Sequence, residues 1–271
     1  MAASLAVPRI FFDTDVFIDA AHGALGIGPR PISPKDWNRV VSHVNRNYIH
    51  AISPYTVIEL LIGVANGAPQ YFSRNKIPLT KMRCSFTAHV HLRYTKQFTL
   101  REVFGHEAPY PSDLEDNFDR VIDTVLDAAT MEQLDQYFLS ISEDRAFQIE
   151  CYRKQAERIR RHALSRPRDN WLSEVVRALQ VEDALENRFL LDGRLDACFF
   201  WDELCYAKAR DKLCGLDRIT KMQYDLSHLN YLAAEDVCFV TRDSALVQAV
   251  KPSTQSSRVL LWESFLQKCK S

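Results

Sequence analysis

Arg9-Ile10-Phe11-Phe12-Asp13-Thr14-Asp15-Val16-Phe17 sets two carboxylates into a short run dominated by Ile, Phe and Val. The run is too short for a helix and rich in β-favouring residues, so residues 9–17 read as a buried parallel-type strand. Such strands are normally apolar throughout. A carboxylate there is costly unless it lies at the strand's carboxyl end and is paired or metal-bound. That end is also where open α/β sheets place their ligands. Asp13 therefore reads as functional, while Asp15 reads equally well as the cap of a turn.

Working outward, a Gly/Pro-rich loop occupies residues 23–32, and Ser33-Pro34-Lys35-Asp36 looks like a helix start. Residues 48–52 suit a second strand. Ser53-Pro54 then opens a helix to about Ala65, stopped by Asn66-Gly67. Near the other end, residues 236–241 read as a strand, 245–250 as a short helix and 258–262 as a final strand. Strands alternating with helices indicate parallel βαβ units, hence an α/β fold with helices on both faces. The middle, about 110–214, is helical almost throughout, with a capping-box start at Thr130-Met131-Glu132-Gln133 and a break at Arg166-Pro167-Arg168. The expectation is one domain assembled from about 1–66 and 215–271, with a large α-helical insertion at about 110–214.

Bulk properties narrow the class. The 271 residues are 46% hydrophobic and 25% charged, enough apolar material for a core. A net charge of −1 exerts no long-range pull on nucleic acid, so any such binding must come from local patches. Seven scattered cysteines without a CxxC pair read as reduced thiols and point to the cytoplasm. Residues 1–10 lack the basic start of a signal peptide, and no apolar run nears the roughly 20 residues of a membrane helix.

The chemistry lies in four acids. Glu59 sits in Val57-Ile58-Glu59-Leu60-Leu61-Ile62, a helix apolar over most of its circumference, and from this helix alone reads equally well as functional or as a solvated face residue. Its face includes Tyr55, Thr56, Ile62 and Gly63, and small Thr56 and Gly63 are expected to let that face approach the sheet closely. Asp243 follows the strand ending in Thr241-Arg242, the Asp13 arrangement again, and reads also as an N-cap. Asp225 is expected at the start of a helical turn, where backbone N–H groups favour an anion. Carboxylates converging in one cleft raise each other's pKa, and an oxygen-ligated Mg2+ or Mn2+ resolves the conflict.

Taken together, Phe11-Phe12-Asp13-Thr14-Asp15-Val16-Phe17-Ile18-Asp19, Ile52-Ser53-Pro54-Tyr55-Thr56-Val57-Ile58-Glu59-Leu60, Asp225-Leu226-Ser227-His228-Leu229 and Phe239-Val240-Thr241-Arg242-Asp243 resemble the PIN domain of metal-dependent ribonucleases. The resemblance covers roughly the first 65 and last 55 residues. It implies a three-layer parallel-sheet fold with metal ligands Asp13, Glu59, Asp225 and Asp243, and with Thr241 supporting the last acid. It also implies an endoribonuclease using Mg2+ or Mn2+, with RNA favoured over DNA. An inhibitory protein or a second copy of the chain stays open as partner. Many members carry Asn where this chain has Asp15, and compact members lack the helical middle. Asp202, Asp211, Asp217 and Asp236 are rivals to Asp225.

Two other functional readings compete. Asp13-Thr14-Asp15 also resembles the nucleophile motif of haloacid-dehalogenase-type phosphatases, with Asp13 as nucleophile and Asp15 as acid/base. That motif wants Thr or Val where Phe17 stands and a glycine before the later acid, and it leaves Glu59 unexplained. The other is a PIN-like module that binds RNA or protein without cutting. Arg153, Lys154, Arg158, Arg160, Arg161, Arg166 and Arg168 form a basic stretch, interrupted by Glu150 and Glu157, that reads as a solvated helix face ahead of a nucleic-acid track. His89-Val90-His91 places two imidazoles on one side of a strand, a zinc-capable geometry, but no third ligand is near in sequence and it reads as structural.

Overall fold

The strand expected over residues 9–17 stops at Phe12. In the computed structural model, which describes residues 7–106 and 113–270, β1 spans Arg9–Phe12 and helix α1 begins at once, Thr14–Leu25. The first six residues and the expected opening of the insertion near 110 lie outside the described residues. Asp13 is the extended N-cap residue between the two elements. Val16, Phe17, Ala20 and Ala21, all buried, lie on one face of α1, so the apolar residues after Asp13 follow helical spacing.

Both Ser-Pro signals open helices. Ser33 caps α2 (Pro34–Asn47) by accepting from Asp36 N, and Ser53 caps α3 (Pro54–Ala65) by accepting from Tyr55 N. Between them runs β2 (Ile49–Ile52). Short helices α4 (Phe72–Asn75) and α5 (Ile77–Cys84) lead to β3 (His89–His91) and α6 (Thr95–Phe104). The helical middle comprises α7 (Asp113–Asp127), α8 (Asp135–His162), α9 (Arg168–Leu179), α10 (Leu185–Arg194) and α11 (Asp196–Arg210). Next come α12 (Leu216–Leu229), β4 (Val237–Thr241), α13 (Ser244–Ala249), β5 (Val259–Leu261) and α14 (Trp262–Lys268).

The five strands form one parallel sheet in the order β3-β2-β1-β4-β5. β3 lies beyond residue 66, so the α/β frame draws on more of the N-terminal part than the expected 1–66. Side chains alternate along the central strands. Phe11, Ala51, Val237 and Phe239 face a core shared with Trp171, Phe199, Trp201 and Ile219. Ile10, Phe12, Ile52 and Val240 face a second core with Phe17, Trp37, Leu61 and Trp262. Helices therefore cover both faces, as burial of a parallel sheet requires. The helical middle is divided between the two: α9 and α11 pack in the first core, whereas Ile122 and Val125 of α7 join Leu79 and Met82 of α5 in the second. Gly23, in the Gly/Pro-rich region, has a strict reason: a Cβ there would lie 1.6 Å from the Ile32 carbonyl oxygen. All seven cysteines are unpaired thiols. Among the described residues no helix is long and apolar enough to cross a membrane.

Candidate functional site

At the carboxyl ends of β1 and β4 the register that pairs Phe12 with Val240 continues one step further. Asp13 N donates to Val240 O at 2.9 Å, which brings Asp13 beside Thr241. Buried Thr241 donates its Oγ1 proton to Asp13 Oδ2 at 2.6 Å and accepts from Asp243 N at 3.0 Å. One hydroxyl thus orients one acid and fixes the backbone of the next. Asp243 caps α13, its Oδ1 accepting from Ala245 N at 2.7 Å and Leu246 N at 3.0 Å, so Oδ2 is not used in capping. Arg242, between them, turns away to Asp19 at 2.7 Å.

Glu59 reaches the same place from α3, where its Oε2 accepts from Thr14 Oγ1. Ile62 and Gly63, one turn on, line the cleft beside it. A Cβ on Gly63 would meet nothing within 4 Å, so this glycine borders open space and does not draw the helix against the sheet, contrary to the sequence expectation. The cleft, about 270 Å3, is lined by Asp13, Asp15, Glu59, Asp225 and Asp243, with Lys221 the one basic residue among the described lining residues.

Asp225 arrives differently from the sequence expectation. It lies well inside α12, not at a helix start, so no N-terminal N–H groups hold it. It shares a face with Lys221 four residues before and His228 three residues after. α12 lies along the sheet: the His228 ring stacks at 5.8 Å on Phe239 and at 6.2 Å on Phe11. The four rivals stand elsewhere. Asp202 pairs with Arg166, Asp211 with Arg210 and Asp236 with Arg9, each at 2.7 Å, while Asp217 is exposed in the first turn of α12.

The tightest grouping is not four acids but Asp13, Glu59 and His228, each offering a ligand atom within 4.8 Å of the others. His228 Nε2 lies 3.9 Å from Glu59 Oε2. Burial lowers the imidazole pKa to about 4, so the ring is neutral near pH 7 and able to donate a lone pair. Burial, then the charge of Asp15, then that of Glu59 push the Asp13 pKa from 3.8 to about 7, against the Thr241 hydrogen bond and Lys221, which lower it. Asp225 is pushed well above the carboxylate range, first by burial and then by Asp13 and Glu59. Lys221 Nζ stands 4.0 Å from Asp15, and its pKa is raised chiefly by that acid. Such a site is electrostatically unfinished: it holds acids together with one lysine at the rim. Asp13, Glu59 and His228, backed by Asp225 and Asp243, have the donor chemistry of a divalent-cation site.

His228, Lys221 and Thr14 were not singled out from the sequence. A helix beginning at residue 216 puts 221, 225 and 228 on one face, whereas the sequence signals place its start near Asp225. The basic stretch is largely structural. Arg160 donates to the carbonyls of Ala209 and Cys214, Arg166 pairs with Asp202 and Glu174, and Arg168 pairs with Asp192 and Asp196. Arg153 and Lys154 pair within α8, which leaves Arg158 and Arg161 exposed. No family model matches the chain, and no match was found among curated proteins or solved structures.

Proposed function

We propose that this protein is a divalent-metal-dependent nuclease with a PIN-like fold, cutting phosphodiester bonds internally in RNA in preference to DNA. One observation carries the reading: acids from four separate segments, Asp13, Glu59, Asp225 and Asp243, line one cleft at the carboxyl end of a parallel sheet, with a single lysine among the described lining residues. Asp13, Glu59 and His228 would hold the ion most directly, with Asp225 and Asp243 completing the charge. A neutral imidazole in the set favours Mn2+ over the strictly oxygen-seeking Mg2+.

When bound, such an ion acidifies a water and neutralises charge on a phosphodiester. The chain's own residues prepare the site for it. Thr241 holds Asp13 in one orientation, and Thr14 does the same for Glu59. Lys221, exposed over much of its length, offsets the charge of Asp15 and would be available to a phosphate oxygen. Unpaired thiols throughout fit a reducing compartment such as the cytoplasm.

The test is incubation with single-stranded RNA and DNA plus Mn2+, beside an Asp13→Asn variant. Cleavage by the parent and not the variant is expected. Cleavage by neither would leave a binding module, and equal cleavage by both would point to a contaminating nuclease. A phosphoryl group trapped covalently on Asp13 would move the reading to a phosphatase.

A further inference from the structure

A second cluster of ligating side chains lies at the far edge of the sheet, away from the acidic cleft and independent of the nuclease reading. His89 and His91 alternate with exposed Val90 on edge strand β3, so both imidazoles stand on one face, their ring centroids 5.7 Å apart. The third group comes from α7: Asp119 Oδ1 is 3.0 Å from His91 Nε2 and 4.0 Å from His89 Nε2. All three offer ligand atoms within 4.8 Å of one another. A tetrahedral ion with bonds of about 2.0–2.2 Å sets its ligand atoms roughly 3.3–3.6 Å apart, midway between the two observed spacings.

A positive charge already occupies this place. Arg83 Nη1 lies 2.8 Å from His89 Nε2, and Arg83 Nη2 lies 3.4 Å from Asp119 Oδ1. A guanidinium can only donate, so His89 Nε2 must be the acceptor and its lone pair points into the cluster. That is the tautomer a metal ligand needs. Arg83 also reaches Asp123 at 3.3 Å, which gives it a partner to keep when it gives up the histidine.

We propose that His89, His91 and Asp119 form a zinc site that ties α7 to the edge strand, with Arg83 holding the place of the ion when zinc is absent. Two imidazoles and one carboxylate are a frequent zinc set and leave a fourth position for water. On binding, the ion takes the Nε2 lone pairs of both rings, His91 gives up its Nε2 proton and takes one from solvent on Nδ1 so that the ring stays neutral, and Arg83 moves to Asp123. The chain segment so anchored begins the helical middle, which makes the ion a fastener between that segment and the α/β frame.

The test uses the full chain carrying Asp13→Asn and Glu59→Gln, which removes the acidic cleft as a competing site. One equivalent of Zn2+ is expected by calorimetry, with the imidazole 15N signals of His89 and His91 moving and those of His50 and His228 unmoved. His91→Gln and Asp119→Asn should each weaken binding by more than about 100-fold, beyond what changes around a ligand shell usually do. Arg83→Ala should tighten it by roughly tenfold, because a like charge no longer opposes the ion. Absence of zinc binding, shifts confined to other histidines, or full affinity in a His91→Gln chain that keeps its helical circular dichroism would overturn the site. Unchanged affinity in Arg83→Ala would overturn the exchange of arginine for zinc.

Discussion

In the helical middle, Asp202 and Asp196 are buried against arginines; at the carboxyl end of the sheet, Asp13 and Asp225 are packed against other acids. Asp202 accepts from Arg166 at 2.7 Å, and Asp196 accepts from Arg168 at 2.6 Å and from Thr254 N at 2.9 Å. Each of those charges meets an opposite charge supplied by the fold. Asp13 and Asp225 have hydroxyl, acid and imidazole neighbours, with Lys221 the nearest cation described. Burial raises the pKa of Asp202 and Asp225 alike, but Arg166 opposes the rise in the first case while Asp13 and Glu59 add to it in the second. A buried acid with an arginine is part of the architecture. Acids facing one another without an arginine are the feature on which the proposed cation site rests.

The largest expected effect separates these roles directly. Asp13→Asn should lower RNA cleavage by at least about 1,000-fold, of the order seen when a key electrostatic group is lost. Asp202→Asn should leave the cleavage rate of folded protein unchanged; comparable losses in both would erase the distinction. Next in size, Arg166→Met strands Asp202 and should cost about 3–5 kcal/mol in urea unfolding. The equivalent change at the cleft should work in reverse. Without divalent ions at pH 7, Asp225→Asn relieves repulsion and should stabilise the chain by roughly 1–2 kcal/mol, on the scale of one pKa unit. A loss of stability there would mean that Asp225 is compensated after all.

The pH dependence follows from the same contrast. Asp13 holds its proton more tightly in the folded chain, with a pKa of about 7 against 3.8. Stability from this group is therefore complete below the lower value and is lost as pH rises toward the higher one. Melting temperatures in a chelator should fall across that window, recover with Mn2+ at pH 7, and fall less steeply in Asp13→Asn, where Asp225 still contributes. The smallest effect should come from the exposed pair on α8. Arg158→Ala and Arg161→Ala should stay within about 0.5 kcal/mol in stability and leave cleavage nearly unchanged. A tenfold drop in cleavage from either would restore a basic track for the substrate.

Much of the fold was legible because its signals are local. Phe11-Phe12-Asp13 and Val240-Thr241-Arg242-Asp243 are apolar runs ending in acids, and Ser33-Pro34 and Ser53-Pro54 open helices as their capping chemistry requires. Boundaries were less legible: Val16 and Phe17 are equally apolar in a strand or a helix, and only burial on one face of α1 chose the helix. β3 is not legible as part of the frame because a three-residue edge strand with two histidines carries little apolar pattern.

By itself, then, the sequence determined the alternation of strands and helices, the placing of Asp13 and Asp243 just beyond two strands, and the anomaly of Glu59 in an apolar helix. Those features depend on residues a few positions apart. Tertiary structure alone decided which groups meet. Thr241 reaches Asp13 across 228 residues, His228 joins Asp13 and Glu59 because α12 lies along the sheet, and Asp119 completes the histidine pair from 28 residues downstream of His91. It also decided which acids find an arginine. Spacing along the chain reports the conformation of a segment, whereas convergence depends on how whole elements pack, and only the packed core sets that.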